Sequence, residues 1–426
     1  MRVLISAYAC EPGKGSEPAV GWKWVEQLSR FHELWVVTRV NNRGSIETFL
    51  AGEPLPNVHW IYYDLPRWAR FWKRGQRGIH LYYLLWQIGA YFVARKLHRK
   101  ENLELTHHVT FGQYWIPSLL GLLSIPFVWG PVGGGESAPP GFWREFSAYG
   151  KTWETSRDLA RGLASFNPIL RIAAKRCCIA IATTGQTAER LKKLGARNVT
   201  VHPQFGMTTE DIQEFAKLET RRAATPFRLV SIGRLIHWKG FHLGLRGFAK
   251  FQQRYPNSEY WITSSGPELT NLKALARELG IEDKVVFWGG FPSLQEVYQK
   301  LEECDVLVHP ALHEAFGNVC LEAMAAGRPV VCLDLGGPAL QVTEETGIKV
   351  TATDPEQTVS ALAEAFARLA DDPTLRLRLG QAARHRAEVD FSWDRKGAWM
   401  NAVYSYVTKS SASAGKAELA HVLPES

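Results

Sequence analysis

The chain has 426 residues, 46% hydrophobic and 22% charged, with six cysteines. This is ordinary globular usage, so a disordered chain, a collagen-like fibre and a disulfide-stapled miniprotein are excluded, and the length predicts two or three domains. The net charge of +8 is local, because residues 65–100 hold nine basic residues (Arg67, Arg70, Lys73, Arg74, Arg77, Arg95, Lys96, Arg99 and Lys100) and no Asp or Glu.

Arg2–Ala7 reads as a first strand, too short an apolar run for a signal peptide. A helix over Val20–Arg30 follows, then strands at Leu34–Thr38 and Val58–Tyr63. Ile79–Lys100 is predicted as a long helix; the alternative to membrane contact by 65–100 is a solvated loop and a core helix with His80, Tyr83 and Tyr91 packed inside. The apolar part of this helix, Ile79–Ala94, is shorter than the roughly 20 residues a membrane span needs. Leu105–Val109 and Pro126–Trp129 read as buried strands. Helix Asn167–Arg176, strand Cys178–Thr183, helix Gln186–Leu194 and strand Val199–His202 complete the first half. A polar joint spans 208–226.

The alternation then restarts. Strands are predicted at Phe227–Ile232, Glu259–Thr263, Val285–Trp288, Val306–His309 and Val330–Leu333. Helices are predicted at His242–Tyr255, Leu269–Leu279, Leu294–Lys300, Val319–Ala326 and Pro355–Ala370. Such alternation predicts doubly wound parallel sheets with helices on both faces. Ser392–Thr408 is an aromatic-rich helix, and 409–426 reads as a disordered tail. The cysteines show no C-x-x-C spacing, which fits reduced thiols.

Two segments carry the chemistry. In the first, a strand ends at His309, Glu314 stands in the following loop, and Gly317 precedes a helix that carries Glu322. A helix N-terminus presents free N–H groups and a positive dipole end, which suits phosphate. Carboxylates on either side suit hydroxyl groups. In the second, Gly233–Gly240 follows a strand end and offers Arg234 and Lys239, a pair that matches a diphosphate. There is no Asp-x-Asp, and no catalytic metal or other cofactor is expected.

These segments resemble the family 4 glycosyltransferases, retaining nucleotide-sugar enzymes of GT-B architecture and bacterial group 1 type. The family's G-R-L-x-x-x-K-G stands at Gly233–Gly240, and its E-x7-E at Glu314–Glu322. Gly336-Gly337 and Phe391-Ser392-Trp393-Asp394 also fit.

The resemblance implies two Rossmann-like domains facing a cleft. The acceptor-binding domain would be 1–207 plus a crossover helix at 392–408, and the donor-binding domain 226–391. Arg234 and Lys239 would hold the donor diphosphate, and Glu314 the transferred sugar. Gly233 would line the donor site, backbone at Phe316, Gly317, Asn318 and Val319 would meet sugar or phosphate, and Glu322 would hold the ribose.

In the first half, Gly15 matches the second glycine of a family Gly-Gly pair that here reads Lys14-Gly15. The family's His-x-His becomes His107-His108. Neighbours on a strand point to opposite faces, so only one can face the cleft. The tract Gly133, Gly134, Gly135 and Glu136 is assigned to the acceptor or interdomain side of the cleft.

The function this implies is hexosyl transfer from a nucleoside diphosphate sugar to a glycan or lipid-linked acceptor in cell-surface polysaccharide or glycolipid synthesis. The expected location is cytoplasmic, peripheral on the inner membrane face through 65–100. A sugar-nucleotide epimerase or a phosphorylase of the same architecture is the nearest rival. A membrane- or nucleic-acid-binding protein is the reading from another class, and it leaves the paired glutamates without a role. A dinucleotide oxidoreductase lacks its third glycine after Gly13-x-Gly15.

Overall fold

Apolar runs that alternate with amphipathic stretches fold into two parallel sheets, one in each half of the chain. The computed structural model describes residues 1–73, 75, 78–218, 226–290 and 294–412. Among them, the first sheet comprises β1 (Arg2–Ser6), β2 (Glu33–Thr38), β3 (Val58–Tyr62), β4 (Leu105–His108), β5 (Phe127–Val132), β6 (Ile179–Ala182) and β7 (Val199–Val201). The second comprises β8 (Phe227–Ile232), β9 (Ser258–Thr263), β10 (Val285–Gly289), β11 (Val306–His309), β12 (Val330–Leu333) and β13 (Gly347–Val350).

Their orders are β3-β2-β1-β4-β5-β6-β7 and β10-β9-β8-β11-β12-β13. Central strands are buried on both faces, which explains their continuous apolar sequences. In each sheet the order reverses beside the first strand, between β1 and β4 and between β8 and β11. Loops leaving the carboxyl ends of such a pair diverge to opposite faces and open a crevice between them.

The chain divides into two compact units. One holds 1–135, 158–205 and 393–426, the other 136–157 and 206–392. Residues 136–157, expected within the first domain, therefore pack with the second unit. Phe142 and Phe146 sit in that unit's core beside Phe241 and Leu272, and burial of these rings outweighs their place in the sequence. The division falls inside a helix, Ala148–Ser165, that was not predicted.

The C-terminal helix Trp393–Ala412 packs on the first unit. Trp393 meets Trp24 edge-on at 5.3 Å, and Trp399 stacks on His202 at 3.8 Å.

Several elements escaped prediction: helices Arg43–Leu50, Thr209–Ala216, Gly336–Gln341 and Pro373–Asp390, and strand β13. Within the expected polar joint, Thr208 and Asp211 form a reciprocal capping box, a local signal that was legible. Residues 219–225, Arg74, Arg77 and the tail beyond 412 lie outside the described residues. Residues 409–412 continue the last helix rather than starting a tail. His80 is exposed, whereas Tyr83 is buried and Tyr91 half-buried.

Candidate functional site

The second unit's site is built on the two loops at its switch point. After β8 the backbone turns at Gly233, with φ +149°, and presents Arg234 to solvent. A single helical turn, His237–Lys239, then places Lys239. Gly240 has φ +66°, and a Cβ there would run into the Pro310 carbonyl, so the two loops touch only because this residue is glycine. The Leu312 N–H donates to the Trp238 carbonyl at 2.8 Å and fastens them. Across this seam Lys239 Nζ forms an ion pair with Glu314 Oε2.

The Glu314 backbone is held as well, since its carbonyl accepts from the Gly337 N–H at 2.9 Å. Gly336 and Gly337 leave no room for a Cβ against residues 314–316, which is the physical use of that Gly-Gly pair. The Phe316 carbonyl accepts from Gln341 Nε2 at 2.8 Å, and Phe316 and Val319 are buried.

Helix Asn318–Ala325 starts at Gly317, in the left-handed region at φ +81°, with no side-chain cap. Its first N–H groups therefore keep their donor capacity for an anion. Burial alone would raise the Glu314 carboxyl, but Lys239 and His309 outweigh it and bring it below the usual range. His309 is driven down to about 3 by burial, with Lys239 adding to the effect and Glu314 opposing it. Glu322 is pushed up to about 7 by burial, reinforced by Asp211. The result is a cation pair, an open helix N-terminus and two carboxylates of different proton affinity. Such a set grips a diphosphate flanked by hydroxyls.

One residue of this site was missed in the sequence. Glu154, fully buried in the unpredicted helix, accepts at Oε1 from His237 Nε2 (3.2 Å) and His313 Nε2 (2.8 Å). Its Oε2 pairs with Arg157 at 2.8 Å. Burial works against its charge, yet the two histidine bonds and the charges of His313 and Arg157 hold its carboxyl down at about 2. Trp153 stacks on Trp238 at 4.5 Å, and Trp238 on His313 at 5.2 Å. One carboxylate thus braces the residue two before Lys239 and the residue next to Glu314. No motif marks Glu154; only recognition of helix 148–165 would have drawn attention to it.

In the first unit, Gly15 caps helix Ser16–Ser29 at φ −87°, and a Cβ there would meet nothing within 4 Å. Neither conformation nor packing demands glycine here, so the space in front of this loop is open. Glu17 anchors the loop, accepting from the Phe111 N–H at 2.6 Å and from Gln204 Nε2 at 3.2 Å. Burial raises its carboxyl, and these bonds pull part of that back.

The two histidines point to opposite faces, as expected, but neither reaches an open surface. His107 bonds the Tyr404 hydroxyl at 2.6 Å and the Gly130 carbonyl at 2.5 Å, while His108 Nε2 meets the Tyr83 hydroxyl at 3.2 Å. They are 0% and 2% exposed, and burial lowers them to about 4 and about 3. Both sit among interior partners, which corrects the expectation that one of them faces substrate.

The glycine tract is corrected similarly. A Cβ at Gly134 would strike the Trp115 ring at 2.6 Å, and one at Gly135 would strike Thr187 Oγ1 at 2.6 Å. Gly133 bridges Gln113, and Glu136 is buried in the second unit, its carbonyl accepting from Arg157 at 3.0 Å. These glycines serve internal packing. Among the described residues, no group of three or more His, Cys, Asp or Glu is placed to hold a metal ion.

Residues 212–386 match the family described as group 1 glycosyl transferases. The match covers the site around Lys239, Glu314 and Glu322.

The lipopolysaccharide core biosynthesis glycosyltransferase LpsD of Rhizobium meliloti is 30% identical over 213 residues, covering 50% of this chain and 59% of that protein. A D-inositol 3-phosphate glycosyltransferase of Corynebacterium efficiens is 32% identical over 191 residues, covering 43% and 44%. The chain thus spans about half the length of the curated relatives it matches. The solved structure of Anabaena HepE in complex with UDP aligns over 95% of this chain and 100% of its own, with TM-score 0.61 and 18% identity. That likeness is one of fold: the architecture is GT-B.

Proposed function

We propose that this chain is a retaining glycosyltransferase of the family 4 kind. It would move a hexosyl unit from a nucleoside diphosphate sugar to a glycan or lipid-linked acceptor. The observation that carries the reading is the Lys239–Glu314 ion pair beside the uncapped N-terminus at Gly317, with Arg234 exposed nearby. LpsD, named for lipopolysaccharide core biosynthesis, and HepE, solved with UDP, support the donor and acceptor classes.

Lys239 and Arg234 take the diphosphate, Glu314 the sugar hydroxyls, and Glu322 the ribose. The bond from the anomeric carbon to the diphosphate oxygen breaks, and its electron pair stays on that oxygen. The acceptor hydroxyl attacks the same face and gives its proton to the departing diphosphate. The cations stabilise the charge that develops there, and no protein base is required. Glu154 acts behind this set as a positioning residue.

The basic stretch 65–100 supports an enzyme working at the inner face of a membrane on a lipid-linked acceptor. Among the described residues no helix is long and apolar enough to cross a membrane.

A thermal-shift screen of UDP-, GDP- and ADP-sugars tests the donor, since a ligand bound only by the folded state raises its stability. A rise with one nucleotide class is expected; no rise with any of them refutes the donor site. Inversion at the product's anomeric centre refutes the retaining course.

A further inference from the structure

The functional reading places membrane contact in one linear stretch. The first unit's structure adds a second. Helix Ile79–Glu101 buries Tyr82, Tyr83, Trp86 and Ala90 in the apolar cluster on one face of the β1–β7 sheet. Helix Pro168–Arg176 buries Leu170 and Ala174 in the same cluster. The short turn Leu119–Leu122 lies against both helices and adds Leu120 to it. Two helices seated on the same face of one sheet turn their opposite sides outward in the same direction.

Those outer sides are apolar and basic together. On the first helix Leu81, Leu84, Ile88 and Phe92 are exposed at helical spacing and run into Arg95, Lys96 and Arg99. On the second, Ile169 and Ile172 are exposed beside Arg171, Lys175 and Arg176. Leading into it are Leu159, Leu163 and Phe166, the last 79% exposed. Residues 159–176 contain four basic residues and no acid, repeating the bias of 65–100. A shallow cavity of about 380 Å³ is lined by Phe92, Arg95, Lys96, Arg99 and Lys100. Arg95, Lys96 and Arg99 around one ring suit a lipid phosphate, while Lys100 pairs with Glu101 at 2.8 Å.

We propose that this face, formed by helix 79–101, helix 168–176 and the segment 159–166 that leads into it, docks on an anionic phospholipid bilayer. Apolar side chains of this size, bordered by an excess of cations (Arg95, Lys96, Arg99, Arg171, Lys175 and Arg176) with Glu101 and Asp158 as the acids at its ends, fit an interface of acyl chains beneath negative headgroups. The same excess of positive charge disfavours a second copy of the chain. The inference deepens the membrane part of the functional reading and is independent of the transfer reaction.

The test is co-sedimentation of the full chain with phosphatidylcholine vesicles, with and without phosphatidylglycerol. Binding to the anionic vesicles alone is expected, weakening as salt rises. Leu163→Glu with Phe166→Glu should weaken it by roughly tenfold or more, and Ile172→Glu should weaken it in the same direction. Thermal melts and the donor thermal shift should be unchanged, which shows that the fold survives.

If wild type binds neither vesicle, both membrane readings fall. If Arg95→Glu with Lys96→Glu weakens binding while the 163/166 and 172 variants do not, the second helix is overturned and stretch 65–100 stands. If wild type self-associates and the 163/166 variant abolishes that without affecting vesicles, the face is an interface between copies and the proposal is overturned.

Discussion

Replacing Glu154 tests whether the buried brace positions the donor loops. Its carboxylate is the common partner of His237, His313 and Arg157, at 3.2, 2.8 and 2.8 Å, and its side chain is wholly buried. Glu154→Ala leaves these groups facing an apolar gap, and breaking a buried pair from one side costs about 3–5 kcal/mol. At the usual scaling for a unit of this size, that lowers the melting temperature by about 10 °C. Glu154→Gln keeps the shape and one acceptor oxygen, so its cost is about 1–3 kcal/mol.

The carboxyl is held at about 2 when folded, below an unfolded glutamate at about 4.3. Its stabilisation is therefore complete above the unfolded value and is lost as pH falls through the folded one. The gap between wild type and Glu154→Gln should be full at pH 7 and narrow between about pH 4.5 and 2. Because His237 and His313 adjoin the residues proposed to hold the donor, kcat should fall roughly tenfold with less change in KM. Chemical denaturation across pH, paired with steady-state kinetics, reads both effects. A Glu154→Ala protein within about 1 kcal/mol of wild type, with unchanged kcat, would refute the reasoning.

Three further outcomes follow from the same structure. Lys239→Ala should cut turnover by roughly 10²–10³. Burial would then dominate at Glu314, moving the acid limb of the pH–rate profile upward. Glu322→Gln removes a carboxyl raised to about 7 by burial. A raised group stabilises below its unfolded value and loses that stabilisation as pH rises through 7. The variant should match wild type near pH 4, melt higher at pH 8, and bind nucleotide more weakly by calorimetry. Lys396, 1% exposed, is lowered to about 7 by burial while bonding His202 at 3.1 Å. The unfolded chain therefore binds the extra proton, and wild-type stability should climb from about pH 7 to 10. Lys396→Met should flatten that climb in melts followed across pH.

The sequence by itself determined the two doubly wound halves, because strands buried on both faces must be written as continuous apolar runs such as Val306–His309. It also determined the loops of the proposed donor site. Gly240, Gly317 and Gly336 take left-handed backbone, and the charges of Lys239 and Glu314 sit at fixed distances from those turns. Local signals of this kind survive in one dimension.

Contacts between distant residues do not. His107-His108 and the tract at 133–135 look alike as ligand sites or packing sites until their neighbours are known. Those neighbours are Tyr404, Tyr83, Trp115 and Thr187, 19 to 297 positions away. The allegiance of 136–157 was invisible for the same reason: Phe142 and Phe146 are simply apolar until the second unit's core receives them. Glu154 lies in that segment, so its meeting with His237 and His313, 83 and 159 residues on, was settled only when burial of those rings drew the helix into place. The charge of 65–100 was plain in the sequence. That its helix packs on the same face of the sheet as helix 168–176 was decided by the tertiary structure, which seats both in one apolar cluster.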